Sequence, residues 1–232
     1  MLKILMVAAT SKEISPITNA LQFEDRIDNS FGSYKYGNLE IDVLITGVGG
    51  IFNTYYLTQT LAYRSYDLVL NVGIAGSFDN YLELGYIVNV YQEQFADLGI
   101  EDIDEFYTIF EKELHGQNTF PFTEGVLRNN TKYEIEAVKK LINVSAITVN
   151  KVHGNQSSIQ KTINKFKPEI ETMEGASFFY VCLKEGLPFY EIRTISNFVE
   201  TRKADNWNIP LAIENLKLTI LEIFEELNSK TK

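Results

Sequence analysis

The segment LPFYEIRTISNFVE, residues 187–200, starts as an inner strand of a parallel sheet and ends on polar side chains. Its first half, Leu187 to Ile192, is largely apolar and is entered from Gly186 and Pro188, as buried parallel strands usually are. Its second half places Arg193, Ser196 and Asn197 close together. Outward from this segment, short apolar runs alternate with helical patterns along the whole chain, the signature of an α/β layer architecture. Strands are expected at Lys3 to Ala9, Leu39 to Thr46, Leu68 to Val72, Tyr86 to Tyr91, Ala146 to Val149 and Phe189 to Ile195. Helices are expected at Ser15 to Gln22, Asn53 to Arg64, Ser157 to Lys165, Gly175 to Glu185 and Pro210 to Leu227, with the second reading as amphipathic.

A chain of 232 residues with 45% hydrophobic content buries one sizeable core, so a single domain over 1–232 is expected. The formal net charge of -10 leaves no basic face for nucleic acid or an anionic membrane, and a small molecule or another protein is the expected partner. No stretch approaches the length of a membrane span. The opening MLKILMVAATSKE has only a short apolar run, Ile4 to Ala9, followed at once by Ser11, Lys12 and Glu13, so it reads as a first strand and not as a signal peptide. Cys182 is the only cysteine, which excludes an intrachain disulfide; in FFYVCLK it reads as a packed thiol in a reducing cytoplasm. Two histidines, one cysteine and no HExxH support no metal site, and no cofactor is expected.

Two glycine clusters end apolar runs, ITGVGG at 45–50 and NVGIAGS at 71–77. At the carboxyl ends of parallel strands glycines let a ligand approach the backbone, but they also make tight turns, and each cluster alone is compatible with either role. The first fails GxGxxG, because Phe52 stands at the third glycine position. ETMEGASFFYVC, 171–182, puts Glu174 at the start of an apolar helix, where the dipole favours a carboxylate, and follows it with Gly175, a poor helix former. The glycine implies a close approach to the backbone there. Residues 93–124 interrupt the alternation with acidic residues and Phe95, Phe106, Tyr107, Phe110, Phe120 and Phe122. So long a segment of weak periodicity points to a functional loop or a partner-facing excursion.

Glu13 after the first strand, TGVGG, NVGIAG, TMEGA and RTISN together resemble the purine nucleoside phosphorylase and nucleosidase superfamily. Within it the chain is most similar to the nucleosidases of methylthioadenosine and S-adenosylhomocysteine and to futalosine hydrolases, the last also through the inserted EQFADLGIEDIDEFY. The resemblance covers nearly the whole chain. It implies a central mixed sheet, partly closed into a barrel and flanked by helices, and cleavage of a ribosyl C–N bond. That reaction passes through a cation-like sugar, so the site must stabilise positive charge, deliver water and improve the leaving base.

By the resemblance Glu13 is the general base for water, Glu174 binds the ribose hydroxyls beneath the developing cation, and Met173 packs against the sugar. Gly73 belongs to the substrate site through NVGIAG. Arg193 orients the water or its carboxylate partners, or makes a structural ion pair at a strand end. Ser196 bonds a neighbour or supports Asn197. Val152 and His153, in the loop Lys151 to Gly154, are candidates for contacts to the purine, while His115 is expected at the surface and Trp207 at the head of the last helix. Adenine-cleaving relatives carry Asp where Asn197 stands. An amide donates to O6 of hypoxanthine and accepts from a protonated N7, which points to futalosine, although Asn197 can also cap the following turn.

The implied reaction is hydrolysis of futalosine to hypoxanthine and dehypoxanthine futalosine in menaquinone biosynthesis. The alternatives are a methylthioadenosine/S-adenosylhomocysteine-type nucleosidase, a purine nucleoside phosphorylase, or a nucleoside-binding protein without catalysis. Superfamily phosphorylases hold phosphate with an Arg where this chain has Asn71, and Glu13 repels phosphate, so water is the expected nucleophile. Ile74 stands where methylthioadenosine nucleosidases have Ser, so that hydrogen bond is absent. Segment 95–122 is expected to close the pocket over the 5′ substituent or to build a subunit contact. The resemblance implies a homo-oligomer, at least a dimer.

Overall fold

The computed structural model describes residues 1–201 and 206–231. Among them the chain forms β1 (Leu2–Ala8), α1 (Ser11–Thr18), β2 (Gln22–Arg26), β3 (Phe31–Tyr36), β4 (Leu39–Ile45), α2 (Gly50–Tyr63), β5 (Leu68–Ser77), β6 (Ile87–Phe95), β7 (Gly99–Asp102), β8 (Glu105–Thr108), β9 (Leu127–Arg128), α3 (Glu136–Lys139), β10 (Ile142–Thr148), α4 (Gln156–Phe166), β11 (Ile170–Thr172), α5 (Gly175–Glu185), β12 (Phe189–Phe198) and α6 (Ile209–Lys230).

The main sheet runs β11, β10, β6, β12, β5, β1, β4, β3, β2, and β11 also pairs with β5. That second pairing closes β5, β12, β6, β10 and β11 into a five-stranded barrel, from which β1, β4, β3 and β2 continue as an open arm. The central strands β1, β4, β5 and β12 are parallel, and β12 meets β6 antiparallel. Alternation along β1 shows how both faces are buried: Leu5 and Val7 join a core with Phe178, Phe179 and Phe189 of α5 and β12, while Ile4, Met6 and Ala8 join one with Ile220 and Phe224 of α6. The expected α/β architecture with a partly closed mixed sheet is therefore present.

The elements differ from the sequence reading where glycines and short strands intervene. β5 does not stop at Val72 but runs through its glycines to Ser77, because both β12 and β11 pair with that stretch and supply its backbone partners. α1 starts at Ser11, four residues ahead of the expected start, where Glu13 accepts from the N–H of Thr10 at 2.9 Å and occupies a free donor of the first turn. α2 is not amphipathic. It buries Asn53 and Leu57 but exposes Ile51, Phe52, Tyr55 and Tyr56 on the opposite side. Segment 93–124 continues β6 and then forms the hairpin of β7 and β8. Its Phe95, Phe110 and Phe122 cluster with one another and with Tyr180, so most of its aromatic surface is covered by this chain itself.

Two local features aim side chains at one end of the barrel. β12 shifts register against β5 between Ile195 and Asn197, a bulge at Ser196 that lets two successive side chains reach the same side. α5 starts on Gly175 because a Cβ there would lie 1.9 Å from Glu93 Oε1 and 2.7 Å from Glu191 Oε1. The close approach implied by the glycine is thus made by two buried carboxyl groups. Gly175→Ala is expected to destabilise the fold by more than about 1–3 kcal/mol, the usual scale of overpacking. A chemical denaturation midpoint equal to wild type would show that the carboxyls can move aside.

Candidate active site

A cavity of about 280 Å³ opens beyond the carboxyl ends of β1, β5, β10, β11 and β12. This is where parallel α/β sheets gather functional groups, since the strand ends there release loops and helix N-termini together. Glu13, Val152, His153, Met173, Glu174, Ser196 and Asn197 all line it, brought together from four separate parts of the chain. Gly73 and Arg193 do not; they stand behind the wall.

Glu13 sits on the first turn of α1, and both its oxygens are engaged. Oε2 accepts from Thr10 N–H at 2.9 Å and Thr10 Oγ1 at 2.7 Å, and Oε1 from Ile74 N–H at 3.3 Å. The main chain of Ile74 thus contacts the carboxylate although its side chain cannot. Gly73 explains itself by the same geometry, because a Cβ there would meet Arg193 Nη1 at 2.3 Å and Glu13 Oε1 at 2.8 Å. The glycine leaves room for an acid and a guanidinium of the protein, not for substrate.

Glu174 stands at the N-cap position of α5, and its side chain turns away from the helix to accept from Gly49 N–H at 2.8 Å. Gly49 adopts φ 108°, a left-handed conformation that favours glycine, so the first glycine cluster serves to present a donor to Glu174. Burial raises the Glu174 carboxyl above its usual range, with the Glu13 and Glu191 charges adding to the effect and Arg193 and Gly49 opposing it. Arg193 is 1% exposed, and its Nε donates to Glu191 Oε1 at 2.7 Å. Burial works against its charge, but Glu191, Glu174 and Glu13 outweigh that penalty and keep it protonated. The strand-end ion pair with Glu191 is present, and the charges of Glu174 and Glu13 act on the same guanidinium without an ion pair to it.

At the other end of the cavity Asn197 and Glu171 flank Gly76, each in register with it from opposite neighbouring strands. Ser196 Oγ is 2.8 Å from Asn197 Oδ1, and Asn197 Nδ2 donates to Phe198 O at 3.1 Å. One amide hydrogen and one lone pair of Oδ1 remain for a ligand. His153 is held on all sides: its N–H donates to Glu171 Oε1 at 3.0 Å, Nδ1 bonds Glu171 Oε2, and Nε2 lies 2.9 Å from Thr162 Oγ1. Both ring nitrogens are therefore engaged by protein groups, and the side chain offers the cavity ring surface, not a free nitrogen.

Lys12, Val48, Glu171 and Trp207 also line the cavity and were not predicted to. Glu171 stands two residues before the Met-Glu pair, and a polar residue within a buried three-residue strand was the available signal; β11 is too short to show a period. Trp207 is half-buried just ahead of α6 and faces the cavity as well. His115, expected at the surface, is half-buried between the rings of Phe110 and Phe122. Residues 95–122 contribute nothing to the cavity lining within this chain. Asp97 instead accepts from Asn150 N–H at 2.6 Å and so braces the loop that carries Val152 and His153.

Known proteins similar to this chain cover nearly all of it and share its fold. The chain is 25% identical to the futalosine hydrolase of Acidothermus cellulolyticus, over 93% of this chain and 87% of that protein. It is also 25% identical to the 5′-methylthioadenosine/S-adenosylhomocysteine nucleosidase of Buchnera aphidicola, over 99% and 92% of the two chains. The native structure of futalosine hydrolase of Helicobacter pylori shares the fold with a TM-score of 0.80 at 20% identity, covering 97% of this chain and 98% of that one. A mutant methylthioadenosine nucleosidase of Helicobacter pylori, with 5′-methylthioadenosine in its active site, gives a TM-score of 0.81 at 20% identity, over 97% and 99%. The sequence profile of the Phosphorylase superfamily matches residues 3–225, and the chain belongs to that superfamily.

Proposed function

We propose that this enzyme hydrolyses the N-glycosidic bond of futalosine, releasing hypoxanthine and leaving dehypoxanthine futalosine in menaquinone biosynthesis. The observation that carries the choice of base is Asn197, an amide at the cavity end with one hydrogen and one lone pair unused. Its NH₂ suits the O6 acceptor of a 6-oxopurine, and its carbonyl suits a protonated N7. An ionised Asp at this position would face the Phe198 carbonyl with no proton between them.

Glu13 is proposed to accept a proton from water as the water oxygen bonds C1′ and the C1′–N9 bond breaks. The electron pair of that bond leaves with the base, which takes a proton at N7 from solvent, since the Asn197 amide has none to give. Glu174 holds the ribose hydroxyls and places negative charge near the sugar cation, where a dry, preorganised acid is most effective. Met173 packs on the sugar and Val152 and the His153 ring on the purine. Water is favoured over phosphate because Glu13, Glu171 and Glu174 outnumber Lys12 on the cavity lining, while Arg193 lies behind the wall and Asn71 does not reach it. Methylthioadenosine and S-adenosylhomocysteine form the second reading, supported by relatives of that name at the same identity.

The exposed Ile51, Phe52, Tyr55 and Tyr56 of α2 adjoin Val48 of the cavity wall, a patch that fits a second copy of the chain beside the site. The single cysteine, fully buried, fits a cytoplasmic enzyme. Light scattering at working concentration is expected to give at least a dimer; a monomer would remove the oligomer from this reading.

Glu13→Gln is expected to fold and bind nucleoside but lose about 10²–10⁴-fold in kcat, the usual contribution of a positioned base. Wild-type turnover in that variant would exclude Glu13 as the base. Product assays with futalosine, inosine, methylthioadenosine and S-adenosylhomocysteine, with and without phosphate, test the whole reading. Futalosine should be preferred and phosphate should make no difference. In competition, wild type is expected to favour futalosine over its 6-amino counterpart by roughly tenfold to a hundredfold in kcat/KM, the scale of one mismatched buried hydrogen bond. Asn197→Asp should narrow or invert that ratio. An unchanged ratio would return Asn197 to a turn-capping role.

A further inference from the structure

At the cavity wall, which Thr172 itself lines, three side chains close a ring. Glu93 of β6, Thr148 at the end of β10 and Thr172 at the end of β11 are 0%, 4% and 3% exposed. Glu93 Oε2 lies 3.0 Å from Thr148 Oγ1, Thr148 Oγ1 lies 3.0 Å from Thr172 Oγ1, and Thr172 Oγ1 lies 3.0 Å from Glu93 Oε1. Both hydroxyls also accept from the first turn of α5: Ala176 N–H donates to Thr148 Oγ1 at 2.7 Å, and Gly175 N–H to Thr172 Oγ1 at 3.2 Å. Thr172 Oγ1 is also 3.5 Å from the Ile147 carbonyl, which adds an acceptor and no proton.

The protons in this ring can be counted. Each hydroxyl brings one proton and two lone pairs. Three ring contacts need three protons, and the two threonines supply two. With Glu93 ionised, one contact sets lone pair against lone pair in a dry interior, where a missing hydrogen bond costs most. With a proton on Glu93 Oε2, Glu93 donates to Thr148, Thr148 to Thr172, and Thr172 back to Glu93 Oε1. Every lone pair of the two hydroxyls is then filled, since α5 supplies the remaining donors. A proton on Oε1 closes the ring in the opposite sense, so the count does not depend on direction.

We propose that Glu93 is a neutral carboxylic acid in the working protein and a positioning residue of the site: it ties the start of α5, and with it Glu174, to β10 and β11 without adding a negative charge beside Arg193. The titratable groups around it are Glu191 and Arg193 on β12, Glu174 at the head of α5 and Glu13 beyond Arg193, with Cys182 of α5 facing Glu191. Gly175 marks where the Glu93 and Glu191 carboxyls converge. Burial raises the Glu93 carboxyl well above its usual range, the Glu191 charge adds to this, and the threonine hydrogen bonds and Arg193 only partly oppose it.

Glu93→Gln reproduces the acid, because its amide NH donates where the O–H did and its carbonyl accepts. The infrared difference between wild type and Glu93→Gln at neutral pH is expected to show a protonated-carboxyl band present only in wild type. The melting temperatures give a second readout. A Glu with a folded pKa above its unfolded value contributes stability that is complete below the unfolded pKa and lost as pH rises towards the folded one. Glu93→Gln escapes that loss, so it should melt above wild type at neutral pH, by a gap that grows from acid to neutral pH. Glu93→Ala opens the ring and should lower kcat by about a hundredfold, as misplaced catalytic groups do, with Glu93→Gln restoring turnover. No band difference, or a Glu93→Gln protein that melts below wild type at neutral pH, overturns the proposal. These two readouts need no substrate, so they stand apart from the choice of nucleoside and still decide if Glu93→Ala does not fold.

Discussion

Arg193 lies almost fully buried between Glu191, Glu174 and Glu13, and a guanidinium removed so completely from water has to be compensated by charge. Its compensation comes from both directions. Glu191 pairs with it along β12, while Glu174 and Glu13 approach from the cavity side. Several features that look unrelated in the chain follow from this one cation. Gly73 has no side chain because Arg193 and Glu13 fill that space, and Gly175 has none because Glu191 and Glu93 do. The backbone N–H groups of Gly49 and Ile74 turn to the two cavity acids.

The cluster also carries more acids than its one cation can balance, and this excess suits the chemistry. A site that stabilises a sugar cation needs negative charge held ready in a dry place, and one that excludes anionic nucleophiles gains from the same charge. Burial raises the carboxyls of Glu93, Glu174 and Glu191 above their usual range. The groups nearest the cavity keep backbone donors, as Glu13 and Glu174 do, whereas Glu93, as fully buried as Glu191, has only hydroxyls and helix N–H groups routed through them.

Closure of the barrel places these groups. β11 is three residues long, yet it pairs with β10 on one side and β5 on the other, and it delivers Glu171, Thr172, Met173 and Glu174 in succession. Segment 93–124 supports this end from outside, bracing the loop after β10 through Asp97 and α4 through an ion pair of Glu111 with Lys165. Among the described residues, none gives such cover to the outward face of α2.

Local sequence determined the α/β alternation, the long central strands and the helix from Gly175 to Glu185, because burial on both faces writes continuous apolar runs and helix ends have their own residue preferences. The resemblance to the superfamily also marked Glu13, Met173, Glu174, Ser196 and Asn197, which do meet in one cavity. Other decisions belonged to the tertiary structure. Whether the glycines of residues 71–77 turn or continue a strand depended on β12 and β11 arriving to pair with them. That Arg193 and Gly73 stand behind the wall, that His153 is engaged by Glu171 and Thr162, and that Glu93 joins a ring with Thr148 and Thr172 all depend on contacts between residues far apart in the chain. A side chain's type states which bonds it can make; only the closed barrel decides which partners stand within reach and which of them must share a proton.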